Sequence, residues 1–456
     1  MTEQDIIIIG AGVTGLTCAH ALRRRGRQVL LMEQQDRVGG LIQTITQEGF
    51  TFESGPNTGV LKYPEVAELF EQLDGSCQLE TAQAHSKCRL IWQGDRFHPL
   101  PSGLVSALST PLFTWHDKFR ILGEPWRRRG TNPDETVGAL AERRLGRSYV
   151  RYAVDPFISG VFAGDPYQIP VRWALPKLYA LEQEHGSFIR GSIAKAKQPK
   201  SDRDRKATRQ VFSAQGGFSR LVDALAASIG PDNILTSSHN ITVMPDGQQG
   251  WIVTCQRAGE ELQFHARQVI TTCPAYSLPQ LLPFVDADTM HSLSDLQYSP
   301  VVQIGVGIKD CGDRCWQAFG GLIPSCEQKD LLGILFPSAC FTHRAPEAGA
   351  AFAYFLGGVR HPEFLQKDDD ELRDLVNETL SSLLKYPRQQ RADVIRIFRH
   401  PRAIPQYGFN TGERLQAVAQ LQQQYPTLTL AGNLRDGIGI ADRIKQAFDV
   451  AAQVGQ

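Results

Sequence analysis

Residues 6–9 are four consecutive isoleucines, closed by Gly10 and followed by Leu16, Ala19 and Leu22 at three-residue spacing. The unbroken β-branched run predicts a short strand buried on both faces, and the spacing after it predicts a helix with one apolar side. After Gly26, the run QVLLM predicts a second strand that ends at Glu33. Near the other end, residues 428–430 read as a strand, Gly432, Gly437 and Gly439 as a turn, and Asp442 onward as a helix. Between them, VFSAQGGFSRLVDALAASIG reads as a further helix, with WIVTCQ and ARQVITTCPA as strands of the same lobe. Residues 61–198 carry helical patterns, clearest in TVGALAERRLG and WALPKLYALEQEHGSFIRGSIAKA. From SPVVQIGVGI through FGGLIPS, LLGILFPS and GAAFAYFLGG, short apolar runs alternate with turns, which predicts a second sheet.

One apolar stretch fits neither period. PFISGVFAGDP, residues 156–166, is interrupted by Gly160 and Gly164. Glycines in a core segment cost stability unless backbone must pass close to something.

Length and charge narrow the picture further. A chain of 456 residues is too long for one ordinary core, so two or three lobes are expected. Forty-eight basic residues balance forty-eight acidic ones, which lacks the basic field that nucleic-acid binding wants. Nine scattered cysteines, with Cys311 and Cys315 the nearest pair, read as reduced thiols without metal-site spacing, so no metal is expected. With no targeting extension before the first strand and no bilayer-length apolar run, the expected location is the cytoplasm. KAKQPKSDRDRKATRQ reads as a solvated connection. HDKFRILGEPWRRRG reads as a solvated helix end, with peripheral contact at a membrane surface as its alternative.

The first strand and helix carry chemistry. Gly10, Gly12 and Gly15 form GxGxxG between them. The first glycine suits a tight turn, the second lets backbone approach a pyrophosphate, and the third allows close helix–strand packing. A pyrophosphate then meets free N–H groups at a helix N-terminus. Glu33 lies where a carboxylate accepts ribose hydroxyls and repels a 2′-phosphate. A glycine-rich turn in an ordinary α/β protein is the competing reading, but strand, helix and acid agree against it.

After Glu33 comes QQDRVGGLIQT, with Arg37, Gly39, Gly40 and Thr44. This string resembles the second phosphate-proximal motif of two-domain flavoproteins such as amine oxidases and carotenoid desaturases, although Leu41 stands where most of that group has Arg. The resemblance implies non-covalent FAD, with Arg37 and the Gly39–Gly40 backbone reaching its diphosphate and ribityl chain. It also implies a C-terminal return over the flavin, by Gly432, Gly437, Ile438 and Gly439, with a helix N-terminus aimed at the ring. The last cysteine, Cys340, precedes AGNLRDGIG, so a thioether to flavin there is ruled out. The fold implied is α/β: a discontinuous Rossmann-type FAD-binding domain (1–60, 205–275 and 425–456), a mostly helical subdomain (61–204) and a β-sheet substrate domain (276–424).

The middle of the chain narrows the resemblance. PFISGVFAGDPYQIPVRWALPKLYALEQEHGSFIRG is similar to the protoporphyrinogen oxidase family, and ESGPNTGV, RLIWQGDRFHPLPSG, QGGFSRLVDAL, AFGGLIPS, LLGILFPSACF, AIPQY and AGNLRDGIGIADRI follow in that family's order. The resemblance implies removal of hydride from a bridging carbon of a porphyrinogen to flavin, with dioxygen as acceptor. The protein's task is then to position a carbon and exclude other reactions. By position, Arg89 matches the arginine that pairs with a substrate propionate, against the plain reading of a surface arginine at a strand start. Asn57, with Gly55 and Pro56, matches a polar residue beside the flavin and is the one catalytic candidate. Phe319, Gly320, Leu322 and Leu332 match macrocycle contacts, with core packing an equal contender. Gly160 and Gly164 are expected to keep backbone low enough for a flat macrocycle to slide past, with Val161 and Phe162 lining that wall.

The pattern departs from the family at Asn410 and Thr411, where Gly-His is common, and at Gly321, where one branch has His. Coproporphyrinogen III oxidation, another amine oxidase or desaturase chemistry, and a catalytically silent porphyrin-binding flavoprotein stay open as alternatives. So does a homodimer.

Overall fold

The computed structural model describes residues 2–454 apart from 198, 200, 249 and 315, so Cys315 and part of the KAKQPK connection lie outside the described residues. Two seven-stranded sheets dominate. In the first, the isoleucine run lies in the strand Thr2–Ile9, flanked in parallel by Val29–Met32 and Glu260–Thr271, the latter also parallel to Leu428–Leu430. Trp251–Arg257 and His239–Pro245 extend the sheet antiparallel. Alternation splits the isoleucines between two cores. Ile6 and Ile8 pack under the helices Val13–Arg23, Ser219–Ile229 and Ile440–Val454, whereas Ile7 and Ile9 face Trp251, Leu278 and Leu421. With all four under 2 % exposed, each contributes roughly 1.5–3 kcal/mol of burial.

The register decides where a ligand can sit. Ile9 is level with both Met32 and Thr271, and Thr271 with Leu430. Four strands therefore end together, and the segments after them, beginning at Gly10, Glu33, Thr272 and Ala431, converge on one edge. In open parallel sheets that edge is the ligand crevice.

The second sheet runs Val394–Pro405, Tyr298–Ile308, Ala350–Gly357, Gly333–Leu335, Gly320–Leu322, Arg89–Gln93 and Arg96–Pro99. The hairpin 89–99 thus belongs with the β-rich part, although its surroundings in sequence are helical. Its strand Arg89–Gln93 pairs in parallel with Gly320–Leu322, setting Arg89 opposite Gly320. The two halves meet where Gln303 Nε2 donates to the carbonyl of Glu53 at 2.5 Å and His400 shares a 2.6 Å hydrogen bond with that of Ser54.

Between the sheets lies the helical region. WALPKLYALEQEHGSFIRGSIAKA is three helices, Val171–Ala174, Pro176–His185 and Phe188–Ala196, broken at Leu175 and at left-handed Gly186. Fully buried Arg144 lies 2.6 Å from both Glu124 and Glu182 and ties these helices to the turn after Trp115–Leu122. Removing one partner of such a buried set costs roughly 3–5 kcal/mol. The polar connection is exposed over residues 201–205, as its composition predicts, and surface ion pairs hold it in place. Arg203 pairs with Glu65 and Glu68, and Lys206 with Glu71, docking it on the helix Pro64–Gln72.

PFISGVFAGDP corrects its reading. Residues Asp155–Phe162 are helical, continuing a π-turn, with Pro156 in the first turn where its missing N–H is harmless. Ala163, left-handed at φ 48°, ends the helix.

Candidate functional site

The crevice edge is built from backbone. A methyl group at Gly15 would sit 1.9 Å from the carbonyl oxygen of Gly10, and one at Gly10 would sit 2.8 Å from Thr272 Oγ1. These two glycines are demanded by packing. Gly12 differs: its φ of −71° is open to any residue, and a Cβ there would meet no atom within 4 Å. Gly12 caps the helix Val13–Arg23, whose first turn has no side-chain cap and no acidic residue. Open space in front of uncapped N–H groups fits a pyrophosphate. Gly39 donates to the Ala11 carbonyl at 2.7 Å and pairs with Gly12, so left-handed Gly39 and Gly40 form the facing lip.

Glu33 and Arg37 shape this lip. Glu33 accepts from the N–H of Ala11 at 2.7 Å and of Gln35 at 2.9 Å, which holds its carboxylate at the crevice mouth. Arg37 lies on the same loop as Gly39 and Gly40. Its guanidinium donates to the carbonyls of Val38, Gly40 and Ile42, gathering those oxygens on one side of the loop.

On the opposite side of the edge, the strand Leu428–Leu430 leads through a glycine turn into the helix Ile440–Val454. Gly432, at φ 79°, packs its Cα against Thr272, and left-handed Gly437 packs against Asp442. Gly439 precedes the helix Ile440–Val454. The helix start is not bare. Asp442 accepts from the N–H of Gly439 at 3.1 Å, from Lys62 Nζ at 2.8 Å and from the Tyr63 hydroxyl at 3.2 Å. Ile438 packs against the buried cluster that includes Ile158, Phe162 and Val171, joining the return to the helical region. Tyr407 donates to the carbonyls of Asn433 and Gly437, and burial pushes its phenol up to about 12, so it stays a donor. Thr272, Asp442, Lys62, Tyr63 and Tyr407 escaped the sequence reading. Thr272, Tyr407 and Asp442 fell inside stretches it quoted, ARQVITTCPA, AIPQY and AGNLRDGIGIADRI, without a role of their own.

Gly55 touches the Leu41 carbonyl, and Pro56 leads into buried Asn57, whose Nδ2 donates to the Gly55 carbonyl at 3.1 Å. Asn57 therefore sits in a turn made by its own segment, and His400 and Gln303 anchor that segment from the second sheet.

The other wall is made of side chains. Arg89 is exposed, with its guanidinium carbon 5.5 Å from the centre of the Phe319 ring and no carboxylate partner among the described residues. Gly320, at φ 151°, packs against the Ile334 carbonyl. Leu322 projects onto Gly160, where a Cβ would lie 2.4 Å from Leu322 Cδ2. Close approach at Gly160 is real, but its neighbour is Leu322 and not an open slot. Val161 is 43 % exposed on the same helix, whereas Phe162 turns into the helical core and does not line a surface. Leu332 is half-buried and bonded through its backbone to Ile323 and Phe355.

The departures have structural duties. Asn410 Nδ2 donates to Asp295 at the start of the helix Thr411–Gln424, and buried Thr411 accepts from Arg414. Gly321 packs against Phe97, and a Cβ there would lie 2.2 Å from that ring.

With this geometry in view, the comparisons are specific. The profile of flavin-containing amine oxidoreductases matches residues 13–454. The chain belongs to that family. It is an FAD-dependent oxidoreductase. A protoporphyrinogen oxidase of Bos taurus is 29 % identical over 99 % of this chain and 98 % of its own. The chloroplastic/mitochondrial protoporphyrinogen oxidase 2 of Arabidopsis thaliana is 28 % identical over 99 % of this chain and 94 % of its own. In fold, the chain is similar to the crystal structure of an Exiguobacterium protein provisionally described as a protoporphyrinogen oxidase, with a TM-score of 0.81 at 21 % identity and 99 % or more of both chains covered. No helix among the described residues is long and apolar enough to cross a membrane.

Proposed function

We propose that the chain oxidises protoporphyrinogen IX to protoporphyrin IX in heme biosynthesis, passing six electrons to dioxygen. Bound FAD supplies the two-electron acceptor for each of three successive oxidations. The observation that carries the reading is the exposed, carboxylate-free guanidinium of Arg89 on Phe319, beside an apolar wall that includes Leu322 and Val161. A porphyrinogen is an apolar macrocycle with carboxylate arms, and this pairing offers one group for each part. The full-length protoporphyrinogen oxidase relatives support the same reading.

The residues divide the work. Gly12, Gly39 and Gly40 hold the diphosphate on backbone N–H groups, and Glu33 takes the ribose. Gly432, Gly437, Ile438 and Gly439 cover the ring, with Gly55, Pro56 and Asn57 at its edge. Arg89 orients a propionate while Gly320, Leu322, Leu332 and Val161 hold the macrocycle and exclude water. The flavin-binding unit is drawn from 1–60, 205–275 and 425–456, with the hairpin 89–99 assigned to the substrate domain. Trp115, Phe119, Leu122 and Trp126 are each more than 60 % exposed and close together in sequence, which supports peripheral membrane contact by this cytoplasmic protein.

The test is anaerobic. Purified holoenzyme is mixed with protoporphyrinogen IX or with coproporphyrinogen III, and flavin bleaching and porphyrin fluorescence are followed together. Bleaching by protoporphyrinogen IX in preference supports the proposal. Preference for coproporphyrinogen III reassigns the substrate, and a flavin that stays oxidised with both overturns the oxidase.

A further inference from the structure

One guanidinium outside every motif quoted above joins both parts of the apolar wall. Arg360 follows the strand Ala350–Gly357 and lies between two carboxylates. Its Nη1 is 2.6 Å from Asp155 Oδ1, while its Nε and Nη2 meet Asp165 at 3.2 and 3.0 Å. Asp155 opens the helix that carries Gly160 and Val161, and Asp165 lies just beyond its left-handed end. Arg360 therefore grips that helix at both ends. The adjacent backbone adds to the grip, because Val359 donates to the Ala163 carbonyl at 2.9 Å.

Asp155 has a second partner. Its Oδ2 accepts from the N–H of Ser325 at 2.8 Å. Ser325 lies in the connection between the strands Gly320–Leu322 and Gly333–Leu335, and the same connection carries Leu332. A chain of contacts thus runs from Arg360 through Asp155 to the hairpin that holds Leu322 and Leu332. Asp155 is 5 % exposed, so loss of the guanidinium leaves a buried carboxylate uncompensated and its grip on Ser325 poorly placed. Only a planar fork reaches both carboxylates at once; an ammonium is a point charge.

We propose that Arg360 is a positioning residue for substrate binding, fixing the spacing between the Val161 helix and the Leu322–Leu332 hairpin. This rests on the reading of those elements as the substrate wall. Steady-state oxidation of protoporphyrinogen IX by the full-length holoenzyme tests it in the wild type, Arg360→Gln, Arg360→Lys and Val161→Trp, with flavin content and Tm recorded for each. The expected result for Arg360→Gln is a KM raised about tenfold, with kcat within about twofold and flavin content unchanged. Arg360→Lys should fall between it and the wild type, and Val161→Trp should also raise KM. If Val161→Trp raises KM and Arg360→Gln does not, the positioning role is wrong. If Val161→Trp is silent, the wall is misplaced and the proposal falls with it, whatever Arg360→Gln does. Should Arg360→Gln fail to fold, Asp155→Asn/Arg360→Gln, which removes the buried charge with its partner, carries the same KM test.

Discussion

The two sides of the candidate site are built from different materials. The flavin side is backbone: Gly10, Gly15, Gly55 and Gly432 lie where a side chain would strike main-chain or nearby polar atoms, and N–H groups face the crevice. The substrate side is side-chain tips: Leu322 on Gly160, Arg89 on Phe319, and Arg360 across Asp155 and Asp165. Backbone sites tolerate almost no change because clashes with main chain cannot relax. Side-chain sites yield gradually, since a rotamer can turn away. Substitutions on the first side should therefore abolish function, and those on the second should grade it.

The largest effect expected is at the glycines, and two of them separate packing from ligand binding. Gly15→Ala places a methyl 1.9 Å from Gly10 oxygen and should yield protein with little flavin and a lowered Tm. Gly12→Ala meets nothing within 4 Å, so the apo Tm should stay within about 1 °C. FAD affinity should nevertheless fall by roughly 10- to 100-fold, because the methyl stands where the pyrophosphate must approach two or more N–H groups. Flavin absorbance per chain, with apo-protein melting, checks both. An unaltered affinity in Gly12→Ala would remove the diphosphate from this groove.

Next in size is Arg89→Met. Losing a charge-assisted carboxylate contact should raise KM by roughly 10- to 100-fold. Stability should hardly move, since Arg89 is exposed and gives up no ion pair among the described residues. Steady-state kinetics and a melt of the same preparation decide it; a Tm that falls with KM unchanged would make Arg89 a structural residue.

This contrast also explains what the sequence made legible. GxGxxG with a strand before it, a helix after it and an acid at Glu33 has essentially one geometric solution, so the crevice could be placed from spacing alone. The contacts that define the other wall join residues far apart: Arg360 to Asp155, and Leu322 to Gly160. No local period records such pairs. The helix Asp155–Phe162 was hidden for a related reason, because Gly160 disfavours helix in isolation while packing against the β-rich half, through Leu322, imposes it. Arg37 shows the same limit, because its motif position is legible while its hydrogen-bond partners are not. Carbonyls placed by the Gly39 and Gly40 turn draw the guanidinium inward.

A graded effect should appear at Gly160. In Gly160→Val the new methyls meet Leu322, whose side chain can swing toward the macrocycle space. KM should rise about fivefold with FAD retained, and Leu322→Ala in the same chain should restore part of it. Equal KM in the single and double variants would mean that the two residues are not coupled.

The smallest effect is a difference in sign between two histidines, one on each half. His265, on the edge of the flavin lobe, pairs with Asp246 at 2.6 Å and Glu3 at 2.9 Å, and these partners raise its pKa. Its stabilisation is fully present below the unfolded value of about 6.5 and is lost as pH rises through the higher folded value. His400, in the second sheet, is lowered by burial, which outweighs its hydrogen bond to the Ser54 carbonyl. Its neutral form suits the fold, so stability is intact above about 6.5 and falls as pH drops toward the folded value. His400→Gln should flatten the acid limb of a Tm–pH curve and His265→Asn the alkaline limb, each by on the order of 1 °C. His400 also holds the segment that carries Asn57, so the acid limb in the wild type should bring a parallel loss of bound flavin, whereas the alkaline limb should not. Flavin lost equally on both limbs would mean that the Ser54 contact does not link the second sheet to the crevice.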